Sequence, residues 1–134
     1  VMPGLSLYDF GDLVRTCVSP AAEDSTDLES IQVRPEFFEA LATGFLDEMH
    51  GILTSHEIDH LAFSGVLLTY EVGIRFLTDF LRGDTYFSIL HSDHNLVRTR
   101  NQFRLVLELE NELTPLQRIA CQPSRRGGSG REVT

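Results

Sequence analysis

The fold is decided by residues 54–82, TSHEIDHLAFSGVLLTYEVGIRFLTDFLR. Thr54 can accept a hydrogen bond from the N–H three residues on, while Glu57 reaches back to the N–H of Thr54. This reciprocal pattern opens a helix, and Gly83 is the residue type that closes one. Between them apolar residues recur at spacings of three and four in two registers. Phe63, Leu67, Tyr70, Ile74, Leu77 and Leu81 form one stripe; Leu61, Leu68, Val72, Phe76 and Phe80 form the other. A helix apolar on most of its circumference has to be covered by other elements. The spacing predicts one long central helix from Thr54 to about Arg82, with Glu71, Arg75, Asp79 and Arg82 as its polar ridge.

The rest of the chain supplies the covering elements. Residues 1–8 read as an entry loop bearing Pro3 and Gly4, and Asp9 can cap a helix that runs to about Val18 before Ser19 and Pro20 end it. The acidic stretch from Ala21 to Val33 has no apolar period and reads as a surface loop. Pro35 is suited to the first turn of a second helix, with the buried stripe Phe38, Leu41, Phe45, Met49 and Ile52. After the loop from Gly83 to Asn95, Asp93 or Asn95 can cap a helix carrying Leu96, Phe103, Val106, Leu107 and Leu113. Pro115 interrupts it, with a short turn to Ala120. No segment alternates as a strand does. The expectation is an all-α bundle of about four helices over residues 1–122, with 123–134 as a flexible Gly/Ser/Arg tail.

Composition excludes several functions. The 134 residues carry a net charge of −9, which opposes binding to nucleic acid or to an anionic membrane. No apolar stretch reads as long enough to span a bilayer, and no leader pattern opens the chain, so a cytoplasmic protein is expected. Two cysteines, Cys17 and Cys121, are read as free thiols. The opening Val1-Met2-Pro3-Gly4-Leu5 reads as a chain that begins inside a domain.

Three short motifs imitate catalytic signatures. His56-Glu57-Ile58-Asp59-His60 matches H-E-x-x-H, in which two imidazoles one helical turn apart hold a metal and the glutamate acts as base. This defines an alternative reading as a metal-dependent amide hydrolase. The simpler account is a solvated first turn whose Thr54 and Glu57 form a cap. Asp9-Phe10-Gly11 resembles a kinase magnesium triplet but follows no strand, so it reads as a cap plus a buried Phe10. Cys121-Gln122-Pro123-Ser124-Arg125 matches the C-x-P-S-R core of sulfatases without the large α/β domain that such enzymes need, and sulfatase activity is not expected.

The run Val1 to Arg15, VMPGLSLYDFGDLVR, the segment Tyr70 to Tyr86, YEVGIRFLTDFLRGDTY, and Asp93-His94-Asn95-Leu96 together resemble the C-terminal part of N-acetylhexosamine 1-kinases. Those enzymes are members of the aminoglycoside phosphotransferase and choline kinase superfamily, and some relatives carry the label mucin desulfatase. The resemblance extends from Val1 to about Leu113. It implies the helical C-terminal subdomain of a protein-kinase-like phosphotransferase that moves the γ-phosphate of ATP to a sugar hydroxyl, with magnesium. It also implies that the catalytic and magnesium-binding carboxylates precede Val1, so this chain alone is expected to be inactive and to hold no cofactor. Arg75 and Tyr86 match positions that contact the hexosamine; Asp84, Asp93 and His94 match loop and cap positions. No catalytic or metal-binding residue is expected here. A third reading is a non-catalytic interaction module that forms a homodimer through exposed apolar faces.

Overall fold

The computed structural model describes residues 3–49 and 51–122, with side chains from Leu7 onward. Among these residues the structure is all-helical and has no strand. Its elements are α1 (Pro3–Cys17), a 3-10 turn (Leu28–Ser30), α2 (Pro35–Glu48), α3 (Ser55–Asp59), α4 (Leu61–Leu81), α5 (His94–Asn111) and α6 (Leu113–Ala120). Helix α4 lies between α1 and α5, while α2, α3 and α6 close one side of this layer.

The structure divides the expected helices more finely, for local reasons. The capping box at Thr54 and Glu57 is present, with bonds of 2.8 and 3.1 Å, but the helix that it opens ends at Asp59. His60 Nδ1 lies 2.8 Å from the carbonyl of His56, the group to which the His60 N–H would donate in an unbroken helix. That N–H turns instead to Glu57 at 3.1 Å. A side chain inserted in the ladder is a known cause of such a break. The predicted single helix from 54 to 82 is therefore two. Likewise α5 ends at Asn111, ahead of Pro115, which lies in the first turn of α6. Its ring would clash with the carbonyl four residues back, so the chain breaks before the proline.

At the N-terminal end helix replaces the expected loop. α1 begins at Pro3, so Asp9 is an exposed residue inside the helix and caps nothing. At its other end Arg34 donates to the carbonyls of Cys17 and Val18 at 2.9 and 3.1 Å, partnering groups that a helix terminus leaves open.

The core joins Phe10, Val14 and Val18 of α1 to Phe38, Ala42 and Leu46 of α2, Leu61, Ala62 and Val66 of α4, Leu105 and Leu109 of α5, and Leu116 and Ala120 of α6. α1 and α4 touch through their backbones: a Cβ on Gly11 would stand 2.5 Å from the Ser64 carbonyl oxygen, and one on Gly65 would stand 2.7 Å from Val14 Cγ1. This contact rotates α4 so that its second stripe is inward, with Leu61, Leu68 and Phe76 buried. The first stripe is left outside: Phe63, Leu67, Tyr70, Ile74 and Leu81 are 39–74% exposed, contrary to the expected coverage of both. Ile52, predicted for the buried stripe of the second helix, and Leu107, one of the apolar residues expected on the fourth, are also exposed.

α4 corrects a further expectation, since its 21 residues meet the length and hydropathy for crossing a bilayer. Half of that window is buried within the protein, and the core helix of a soluble domain has the same composition.

Candidate functional site

Asp79 organises the end of α4. Expected on a polar ridge, it is 4% exposed and accepts four hydrogen bonds. Its Oδ1 takes the N–H groups of Thr85 and Tyr86 at 3.0 and 2.8 Å; its Oδ2 takes Phe87 N–H at 3.1 Å and Asn95 Nδ2 at 2.8 Å. The chain can turn back onto it because Gly83 and Asp84 adopt φ of 93° and 61°, and the Asp84 N–H donates to the Asp79 carbonyl at 2.8 Å. Glycine adopts such angles readily, and aspartate is among the few other residues that tolerate them. Asn95 also donates to Asp84 Oδ1 at 3.1 Å and accepts from Arg98 at 2.9 Å, which ties the turn to the start of α5. Burial raises the Asp79 carboxyl, but the N–H groups of Phe87, Tyr86 and Thr85 and the Asn95 amide outweigh it and hold the group below the usual carboxylate range.

The clamp determines where Tyr86 stands. Its ring meets Phe87 edge-on at 4.8 Å, Phe87 packs on Phe76 at 4.7 Å, and Tyr86 itself is 74% exposed. Arg75, one turn before Asp79, is exposed and belongs to none of the ion pairs among the described residues, so it forms no ladder with Glu71 and Asp79. Arg75, Thr78, Arg82, Thr85 and Tyr86 line one open cleft of about 430 Å³. The two predicted site residues thus share a cleft. The residue that sets their relation, Asp79, was missed: its partners are mostly backbone N–H groups, which have no signature in the sequence. The available signal was a carboxylate four residues before Gly83-Asp84.

His94 and Asp93, matched to the resembling family as loop and cap residues, separate. Asp93 is at the N-cap of α5 but its side chain makes no cap bond. His94 is buried: its Nδ1 accepts the Leu90 N–H at 3.0 Å, so Nε2 carries the proton and donates to Asp24 at 2.9 Å. That bond from His94 holds the Asp24 carboxyl below its ordinary range despite some desolvation. With Asn101, which donates to the carbonyls of Ala22 and Ser25 at 2.9 and 3.1 Å, it fastens the acidic loop to α5.

The three imitation motifs are occupied structurally. His56 and His60 are exposed with ring centroids 4.5 Å apart, and the Glu57 carboxylate is engaged in the cap of Thr54. Among the described residues no group of three or more His, Cys, Asp or Glu converges to hold a metal. Phe10 is fully buried against Phe38 at 5.7 Å. Cys121 donates to Asp59 Oδ1 at 3.3 Å and docks α6 on α3; Pro123, Ser124, Arg125 and the predicted tail are outside the described residues.

No protein-family model matches the sequence.

Proposed function

We propose that this chain supplies the sugar-binding wall of an ATP-dependent kinase acting on an N-acetylhexosamine-like sugar, within the helical C-terminal subdomain of a protein-kinase-like phosphotransferase. The observation that supports it most is the convergence of Arg75 and Tyr86 on one cleft, with the Tyr86 segment clamped by Asp79. The guanidinium offers five N–H donors in one plane, suited to adjacent hydroxyls or an acyl carbonyl. The Tyr86 ring offers a flat apolar surface to the C–H face of a pyranose, with a hydroxyl at its edge. Thr78 and Thr85 add groups that both donate and accept. A neutral ligand is also not repelled by a chain of net charge −9.

On this reading the nucleotide and its magnesium are held by residues other than those described. The Asp79 oxygens are filled by four donors, and no three or more His, Cys, Asp or Glu converge among the described residues. The chain alone then binds sugar without transferring phosphate. The test is titration of the purified chain with an N-acetylhexosamine, followed by ligand-observed NMR. Saturable binding that Arg75→Met and Tyr86→Ala each weaken supports the reading. Equal binding by both variants and the wild type would remove the cleft from it.

A second reading, a homodimer, is favoured by the exposed stripe of α4. This ridge is flanked by two apolar grooves of about 450 and 380 Å³, both lined by Phe63 and Leu67. A twofold axis would set the ridge of each copy against the groove of the other, and on this reading the occupant is a second copy of the chain. Sedimentation should give a dimer that Leu67→Glu dissociates; a wild-type monomer at high concentration refutes it.

A further inference from the structure

Arg75 also borders a second cleft, of about 440 Å³, on the side of α4 that faces α1; the two clefts share Arg75 and Phe87. Three guanidinium groups line this second cleft: Arg15, Arg75 and Arg98. Its two carboxylates are both committed to Arg15, whose Nε bonds Asp12 at 3.0 Å and whose Nη1 bonds Glu23 at 2.6 Å. Arg98 is held through Nη1 alone, by the Ser88 carbonyl at 3.1 Å and Asn95 Oδ1 at 2.9 Å. Those acceptors are neutral, so they orient the guanidinium without cancelling its charge. Asp24 is near enough to feel Arg98, and its hydrogen bond goes to His94, so it lowers the charge at Arg98 without occupying the guanidinium. Arg75 has no hydrogen bond or ion pair among the described residues.

In a chain of net charge −9, one cleft contains two arginines, Arg75 and Arg98, that form no direct ion pair with a carboxylate among the described residues. One is fixed by its loop and the other is free to close. Arginine forks onto tetrahedral oxyanions with paired N–H bonds, and such charge-assisted bonds are among the strongest that a partly exposed site makes.

We propose that the cleft between α1, α4 and the 84–88 turn is an anion subsite for a phosphate monoester, gripped by Arg75 and Arg98. This extends the sugar-wall reading, because Arg75 is common to both clefts and one ligand can place its sugar ring by Tyr86 and its phosphate by Arg98. The ligand class of the combined site is then a hexosamine phosphate.

The test is calorimetric titration of the full chain at low ionic strength with three probes: a neutral N-acetylhexosamine, its phosphate ester and inorganic phosphate. The ester should bind at least about tenfold more tightly than the neutral sugar, and added salt should reduce that margin. Arg75→Met should abolish the margin. Arg98→Lys, which retains the charge but not the fork, should reduce it while circular dichroism stays unchanged. Equal affinity for ester and neutral sugar overturns the subsite and leaves the sugar wall standing, as does a margin that survives Arg75→Met. Binding of ester and inorganic phosphate without the neutral sugar upholds the subsite and removes the sugar wall. No binding by any probe overturns both.

Discussion

Replacing Gly11 with alanine adds one methyl group to a helix interior, a change that by itself favours folding by about 0.5–1 kcal/mol. The structure reverses that sign. The new Cβ would lie 2.5 Å from the Ser64 carbonyl oxygen, 3.0 Å from its carbon and 3.1 Å from Leu68 Cβ. Heavy atoms in comfortable contact stand about 3.5 Å apart, so α1 and α4 would have to separate by close to 1 Å. Both nearest atoms are helix backbone, and no side chain can turn aside to relieve the contact. Overpacking of this kind costs about 1–3 kcal/mol or more, which leaves a net loss of about 1–2 kcal/mol after the propensity gain. In a chain of this size the melting temperature should fall by about 4–8 °C. Gly44→Ala is the control: it lies in α2 with nothing within 4 Å of its Cβ position, and it should gain about 0.5–1 kcal/mol. Urea unfolding of the two variants should therefore shift the midpoint in opposite directions. If Gly11→Ala matches or exceeds the wild type while Gly44→Ala gains, the close approach of α1 and α4 is wrong.

Three further outcomes follow from named contacts. Asp79→Asn places an amide NH2 against N–H donors, so the backbone amides of Thr85, Tyr86 and Phe87 should exchange hydrogen about tenfold faster or more, with little change in α2; unchanged exchange would refute the clamp. Asp24 and Asp79 both have lowered carboxyl pKa values in the folded protein, so their contribution is fully present above the ordinary carboxylate value of about 4 and is lost as pH falls through the lower folded values. Stability measured by urea should be level from neutral pH down to about 5 and decline below about 4, with a shallower decline in Asp79→Asn; equal slopes would contradict the assignment. Thr54→Ala removes the acceptor for Glu57 N–H and should cost about 1 kcal/mol, whereas a loss near zero would mean that the box holds nothing.

How much of this was legible in the sequence depended on the range of each interaction. Pro35 as the start of α2, the Thr54–Glu57 box and the stop at Gly83 were readable because each involves groups within one turn of one another. The break at His60 was not, because the imidazole that displaces the ladder bond is the same residue type that a metal motif requires. The candidate site was half legible. Arg75 was conspicuous as a charge in an apolar helix and Tyr86 through the resemblance, whereas Asp79 looked like one more ridge residue. Its burial depends on three N–H groups and an amide six to sixteen residues further along the chain.

By itself, then, the sequence determined that the described chain is helical and roughly where its helices start and stop, since capping, proline sterics and glycine conformation act locally. Which stripe of α4 is buried was decided only by tertiary contact. Both stripes are equally apolar, and the backbone approach at Gly11 and Gly65 selected between them. The same packing positions α5 so that Asn95 reaches Asp79, while the meeting of Arg75 and Tyr86 in one cleft follows from the bonds that Asp79 makes to the turn after α4.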